Sequence, residues 1–300
     1  TEIYTLSLHD ALPISTAADI QYEVAAGFTF PGFYASMATA YMHKYGATTD
    51  TFKKVGIKNH FNGSMNEKAQ FGASIPSLME ARQARAIKKG LPVPEWKDEL
   101  AFLQDESANP LIAWPMCLYD CSPVSDGAAV ALLVSEDLAY QFSDKPIFVI
   151  GSGQASDGAL HDRETLTSIT SAKLAGQQAY EMAGITPEQI DFAEVHDCFT
   201  IAEIIASEDL GFFAPGEGGK MAEMGQTQRD GSKPINLSGG LKSKGHPVGA
   251  SGVGQVVEVW KQLRGEAGKR QLGGELKHAL THNVGGTGQT CVVHIFERRD

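Results

Sequence analysis

The stretch IDFAEVHDCFTIAEIIASEDL, residues 190–210, decides the fold class. Ile190, Phe192, Ala193 and Val195 form a short apolar run of strand length, which predicts a buried strand over residues 190–195. A helix follows over residues 200–210. The junction between them holds HDCF, residues 196–199, so a histidine, an aspartate and a cysteine crowd one strand end. Working outward, strands are predicted at residues 146–150, 235–237 and 290–297, and helices at 165–183 and 251–263. Such alternation predicts a mostly parallel sheet covered by helices. Ligands of open α/β sheets bind beyond the C-terminal ends of the strands, where HDCF lies.

Within HDCF, Cys198 reads either as a buried structural thiol or as a thiolate whose pKa the following helix N-terminus lowers. The flanking His196 and Asp197 favour chemistry, because polar groups crowded at a strand end rarely serve packing alone. The second motif is GLKSKGHPVGASGVG, residues 240–254. It holds His246 between Gly245 and Pro247 at the mouth of a helix, a placement suited to donating a hydrogen bond to a thioester oxygen. Its glycines do not make a dinucleotide fingerprint, since the order is G-x-x-G-x-G and no acidic residue follows at the required distance. The third is NVGGTGQT, residues 283–290, whose backbone N–H groups fit either an oxyanion hole or an ordinary glycine hairpin.

Upstream, GFTFPGFYASMATAYMHKYG from Gly27 predicts a turn and an amphipathic helix entered at Pro31. Helical pieces continue to about residue 109, including residues 77–89. Between Lys53 and Lys97 nine Lys or Arg face three Glu, which reads as a solvated helical face or as a surface for coenzyme A phosphates. SDGAAVALLVS, residues 125–135, is a glycine-led turn before an apolar strand or helix. GGTGQTCVVHIFE, residues 285–297, repeats that plan, and the pair suggests two similar halves.

The net charge of −11 argues against nucleic acid and anionic membrane surfaces as partners. No run approaches the length of a membrane span. Four cysteines in 300 residues make no disulfide scaffold, which points to the cytoplasm. Cys117 and Cys121 lack a second ligand pair at metal-site spacing, so no metal is expected. The opening TEIYTLSLHDALPI, residues 1–14, matches one frame of a DNA-sequencing adapter and runs out at Ser15. Residues 1–15 are therefore set aside from fold reasoning, and the native chain is expected to begin upstream of Thr16.

The pieces GFTFP, KNHFNGSMNEKAQF, DCSPVSDGAAV, VHDCF, GGLKSKGHPVGASG and HNVGGTGQT run in one order across nearly everything after Gly27. Together they resemble the thiolase superfamily, in particular its sterol-carrier-protein-type and archaeal-type acetyl-CoA acetyltransferase branch. The resemblance implies an α/β fold of αβαβα layers in two related halves. Residues 16–144 would be the remnant of the first half with its loop domain, and residues 145–300 the complete C-terminal domain. It implies acyl-CoA C-acyltransferase activity, either Claisen condensation of acetyl-CoA or thiolysis of 3-ketoacyl-CoA. Coenzyme A is then a substrate, and no cofactor is implied. His246 would activate the nucleophilic cysteine and polarise the thioester oxygen. His196 would hold an oxyanion-hole water, and Cys198 would shuttle the α-proton. Gly285 would give a backbone N–H to a second oxyanion hole, while Ser122 and Phe199 would line the pantetheine and acyl region. Because the nucleophilic cysteine is expected upstream, the chain alone is expected to be inactive and to expose apolar surface that lowers its solubility. A homo-oligomer and a small zinc-binding partner protein are also implied. The rival readings are a CoA-ester retro-aldolase of the same superfamily and a non-catalytic acyl-CoA-binding member; intact His196 and Cys198 favour the thiolase.

Overall fold

The computed structural model describes residues 18–299, so residues 1–15 lie outside the described residues. Helix α1, Phe30–Tyr45, carries Pro31 in its first turn and ends at Gly46 with φ 75°. Proline has no N–H to leave unpaired there, and glycine takes the left-handed conformation without a Cβ penalty, so sequence bounds the helix at both ends. Helix α2, Thr49–Ser64, begins with a Thr48–Thr51 capping box. Helix α3, Ile75–Lys88, is capped by Ser74 and falls where the sequence predicts it.

The main sheet contains β1 (Ile147–Ser156), β2 (Phe192–Glu194), β3 (His278–Gly285) and β4 (Thr290–Arg298), in the spatial order β1-β4-β3-β2. Around it lie α4 (Thr170–Ala183), α5 (Thr200–Asp209), the short α6 (Gly240–Lys244) and α7 (Ser251–Arg264). Only β2 and β3 pair in parallel; β1–β4 and β3–β4 are antiparallel. The expectation of a mostly parallel sheet is therefore corrected to a mixed one. The cause is β3, which sequence reading misses because Thr281, His282 and Asn283 break its apolar signal while its backbone stays in the ladder. It folds back through the turn after Gly285 onto β4, so NVGGTGQT is a hairpin.

Successive strand residues point to opposite faces, and each face owns a core. Phe192, Ala279 and Phe296 pack with Val259 and Leu263 of α7. Ala193, Leu280 and Ile295 pack in the larger core with Ala172, Ala175 and Ala179 of α4. A Cβ on Gly153 would come within 2.0 Å of the Ala175 carbonyl oxygen, so α4 lies on β1 only because that position is glycine.

Three predicted elements are shorter than expected or absent. Helix α4 starts at Thr170 and not at residue 165, because the Thr167 N–H goes to the Thr165 hydroxyl and the Ile169 N–H to Asp209. The strand at residues 235–237 reduces to one bridge between Ile235 and Ala193. Residues 125–135 form neither strand nor helix, and Val130, Leu132 and Leu133 are 86%, 74% and 77% exposed. A β-prone run becomes a strand only when a neighbour completes its hydrogen bonds, and among the described residues none does. No described helix is long and apolar enough to cross a membrane.

Candidate active site

HDCF follows β2 directly, and Phe199 is the N-cap of α5. GHP follows α6, where Gly245 has φ 111° and Pro247 leads toward α7. These loops meet. The rings of His196 and His246 lie edge to face with centroids 4.9 Å apart and planes at 88°. Residues 121–124 stitch the two loops together. Cys121 bridges Phe199, the Ser122 N–H donates to the Cys198 carbonyl oxygen (2.9 Å), and Val124 bridges His246.

Each imidazole is fixed through Nδ1. His196 Nδ1 donates to Asn283 Oδ1 (2.7 Å) at the end of β3. That oxygen only accepts, so the neutral ring keeps its lone pair on Nε2. His246 Nδ1 lies 2.7 Å from the Ser251 hydroxyl, which donates its single proton to the Pro247 carbonyl oxygen (2.9 Å). Nδ1 is thus the donor, and Nε2 of His246 is free to accept a proton. Burial holds His196 down at about pH 4, against the pull of its Asn283 hydrogen bond. Burial, then His196 and Lys244, hold His246 down at about 3. Both rings are neutral at pH 7, and either can take a proton only when a counter-charge develops beside it.

Cys198 reverses an expectation. Of the two readings, a pKa lowered by the helix N-terminus does not hold, because burial pushes the thiol up to about 12 and outweighs the lowering influence of Tyr34. The resting group is a thiol, a proton donor. Phe199 is 6% exposed and stacks on Tyr34 with centroids 4.6 Å apart. Ser122 is half-buried beside the Cys198 carbonyl. Gly285 is exposed at the hairpin end, opposite Thr290, and its carbonyl accepts the Gly288 N–H (3.2 Å).

A buried polar brace fixes the two loops. Asp197 accepts from the Leu241 N–H (2.6 Å) with one oxygen and from Asn59 Nδ2 (2.7 Å) with the other. Gly240 has φ 61°, and a Cβ there would stand 2.1 Å from Asp197 Oδ2, so only glycine lets α6 reach this carboxyl. Behind it, Lys58 Nζ pairs with Glu203 (2.5 Å), and Asn59 and Asn236 both donate to that carboxylate at 2.8 Å. Burial and the neighbouring Glu203 raise Asp197 well above the usual carboxylate range. Lys58 therefore belongs to this brace and is unavailable to coenzyme A phosphates. Lys53 is likewise buried, 3.7 Å from Asp50. Lys54, Lys68, Arg85, Lys88, Lys89 and Lys97 remain exposed.

Sequence reading missed Asn283, Ser251 and Tyr34. Asn283 and Ser251 stand inside the quoted motifs, but their partners become visible only when β3 and α7 are placed. Tyr34 carried no signal, being an aromatic on an amphipathic helix. Among the described residues no group of three or more His, Cys, Asp or Glu could hold a metal ion.

Sequence comparison fits this geometry. The family described as thiolase C-terminal domain-like matches residues 152–298. The acetyl-CoA acetyltransferase of Methanothermobacter thermautotrophicus is 44% identical over 286 residues, covering 95% of this chain and 68% of that protein. The chain belongs to the thiolase family. Sterol carrier protein 2 of Bos taurus is 36% identical over 92% of this thiolase chain and 47% of its own length. The structure titled Ltp2-ChsH2(DUF35) aldolase superposes with a TM-score of 0.71 at 25% identity, covering 90% of this chain and 64% of that one. The α/β architecture is thus a thiolase fold, and the chain spans about two thirds of its archaeal relative and about half of the sterol carrier protein.

Proposed function

We propose that this chain carries the proton-transfer and oxyanion-stabilising part of an acyl-CoA C-acyltransferase that cleaves 3-ketoacyl-CoA by thiolysis and runs the reverse Claisen condensation. The observation that carries this reading is the contact of His196 with His246 beside the loop that holds Cys198. Cleavage of the C2–C3 bond leaves an electron pair on the acetyl-CoA fragment as an enolate. A buried thiol is the right group to give that carbon its proton. The two adjacent imidazoles, each able to take a proton on Nε2 as charge develops beside it, can stabilise that charge on the thioester oxygen. Burial keeps Cys198 protonated and so ready to act as the acid in thiolysis; in condensation the same sulfur acts as the base. The acyl-carrying cysteine implied by the thiolase resemblance is assigned to no residue here. Ser122, Phe199 and Gly285 are proposed to contact the substrate, with coenzyme A acting as substrate and not as a resident cofactor.

The test is incubation of the full-length gene product with acetoacetyl-CoA and coenzyme A, with thioesters separated by chromatography. Two acetyl-CoA per acetoacetyl-CoA consumed is the expected result. The aldolase title of the structural neighbour makes retro-aldol cleavage the competing reading. Release of an aldehyde or ketone from a 3-hydroxyacyl-CoA, without thiolysis, would establish it instead.

A further inference from the structure

Arg163 is a buried cation that the site described above leaves unused. Its side chain is 3% exposed, and Nε, Nη1 and Nη2 all lack hydrogen-bond partners. The nearest carboxylate oxygen, Asp157 Oδ2, stands 3.9 Å away and is itself unpartnered. A guanidinium desolvated this way is costly unless it offsets negative charge nearby. It sits beneath the β3–β4 hairpin turn, where a Cβ on Gly288 would lie 2.9 Å from Nη2. The same turn offers the Gly286 carbonyl oxygen to the Tyr34 hydroxyl at 3.4 Å. Tyr34 is 1% exposed, and its ring stacks on Phe199, the neighbour of Cys198, with centroids 4.6 Å apart. Tyr34 thus joins the turn above Arg163 to the loop that carries Cys198.

We infer that Tyr34, backed by Arg163, is the positioning group that stabilises the Cys198 thiolate left behind when this thiol protonates the enolate. This rests on the proton-shuttle reading of Cys198 and names what that reading leaves open. With Cys198 as a thiol, the Tyr34 hydroxyl gives its proton to the Gly286 carbonyl oxygen and accepts from S–H. When the S–H bond breaks and the new C–H bond forms on the substrate, the electron pair stays on sulfur. The Tyr34 O–H then turns to donate to it. Tyr34 keeps its own proton throughout. Asp197 on the same loop opposes the thiolate, whereas Tyr34, which itself feels the Arg163 charge, favours it. Burial raises Tyr34 well above its ordinary pKa, and the Cys198 charge adds to this. Arg163 pulls the other way, but burial dominates, so the hydroxyl stays a donor and not an anion.

The test needs no turnover. Alkylation of each cysteine by iodoacetamide is followed by peptide mass spectrometry across the neutral-to-alkaline range, in the parent chain, Tyr34→Phe, Arg163→Met and Arg163→Lys. A hydrogen bond to a charged sulfur is worth roughly one to two pKa units, so Tyr34→Phe should slow Cys198 alkylation about 10-fold or more at a fixed pH. Cys117 and Cys121 should react unchanged. Arg163→Met should slow Cys198 selectively, and Arg163→Lys should restore much of the rate. An unchanged or faster Cys198 rate in Tyr34→Phe overturns the inference. If that variant exposes all four thiols through unfolding, the Arg163 pair decides by the same criterion: equal Cys198 rates in the Met and Lys variants overturn it. Full turnover in a Cys198→Ala enzyme would defeat the proton-shuttle reading separately, whatever these rates show.

Discussion

Replacing Cys198 with alanine is expected to lower acetoacetyl-CoA thiolysis by the full-length enzyme at least about 100-fold, the usual scale for a positioned general acid or base. The loss should appear mainly in kcat, because the thiol acts on the carbon that gains charge in the transition state and adds little ground-state binding. Cys198 is 6% exposed, and Tyr34 and Phe199 already pack around it, so removing one sulfur atom should leave the fold in place. Circular dichroism and coenzyme A binding are expected to match the parent enzyme. Near-normal turnover would remove Cys198 from the mechanism, however well the histidines are placed.

The second large effect is on stability. Lys58→Met should destabilise the protein by about 3–5 kcal/mol, because it strands Glu203 as an uncompensated buried charge. The two side chains are 3% and 1% exposed and 2.5 Å apart, so solvent cannot screen the loss. Asn59 and Asn236 would still donate to Glu203, but neutral amides do not replace an ammonium. Urea unfolding monitored by tryptophan fluorescence measures this. The double variant Lys58→Met with Glu203→Met should recover much of the loss, since an apolar pair of similar volume avoids desolvating two charges. A single-variant change below about 1 kcal/mol would show that the pair is not the brace between the HDCF and GHP loops.

The sequence made some of this legible for physical reasons. HDCF and GHP were readable because each sits where an apolar strand or a glycine turn meets a helix, a local pattern that needs no tertiary knowledge. Strand β4 was readable from CVVHIF. Its partner β3 was not, because THN occupies positions where local reading expects apolar residues, and only the ladder with β2 and β4 makes it a strand. Of the two readings of Cys198, the lowered pKa fails for the same reason. A helix N-terminus is visible two residues away, but the burial that dominates comes from a core assembled from distant parts of the chain. Lys58 looked like part of a basic surface, whereas Glu203 on α5 turns it inward. The run at residues 125–135 has strand composition and no strand, which shows how little composition decides without a pairing neighbour.

The most direct test is the crystal structure of the full-length protein with a non-hydrolysable acetoacetyl-CoA analogue bound. Cys198 Sγ should lie about 3–3.5 Å from the substrate α-carbon. An imidazole of His196 or His246 should stand at the thioester oxygen, directly or through one water. A ligand seated elsewhere, or a Cys198 sulfur facing away from the two imidazoles, would contradict the proton-shuttle role of Cys198.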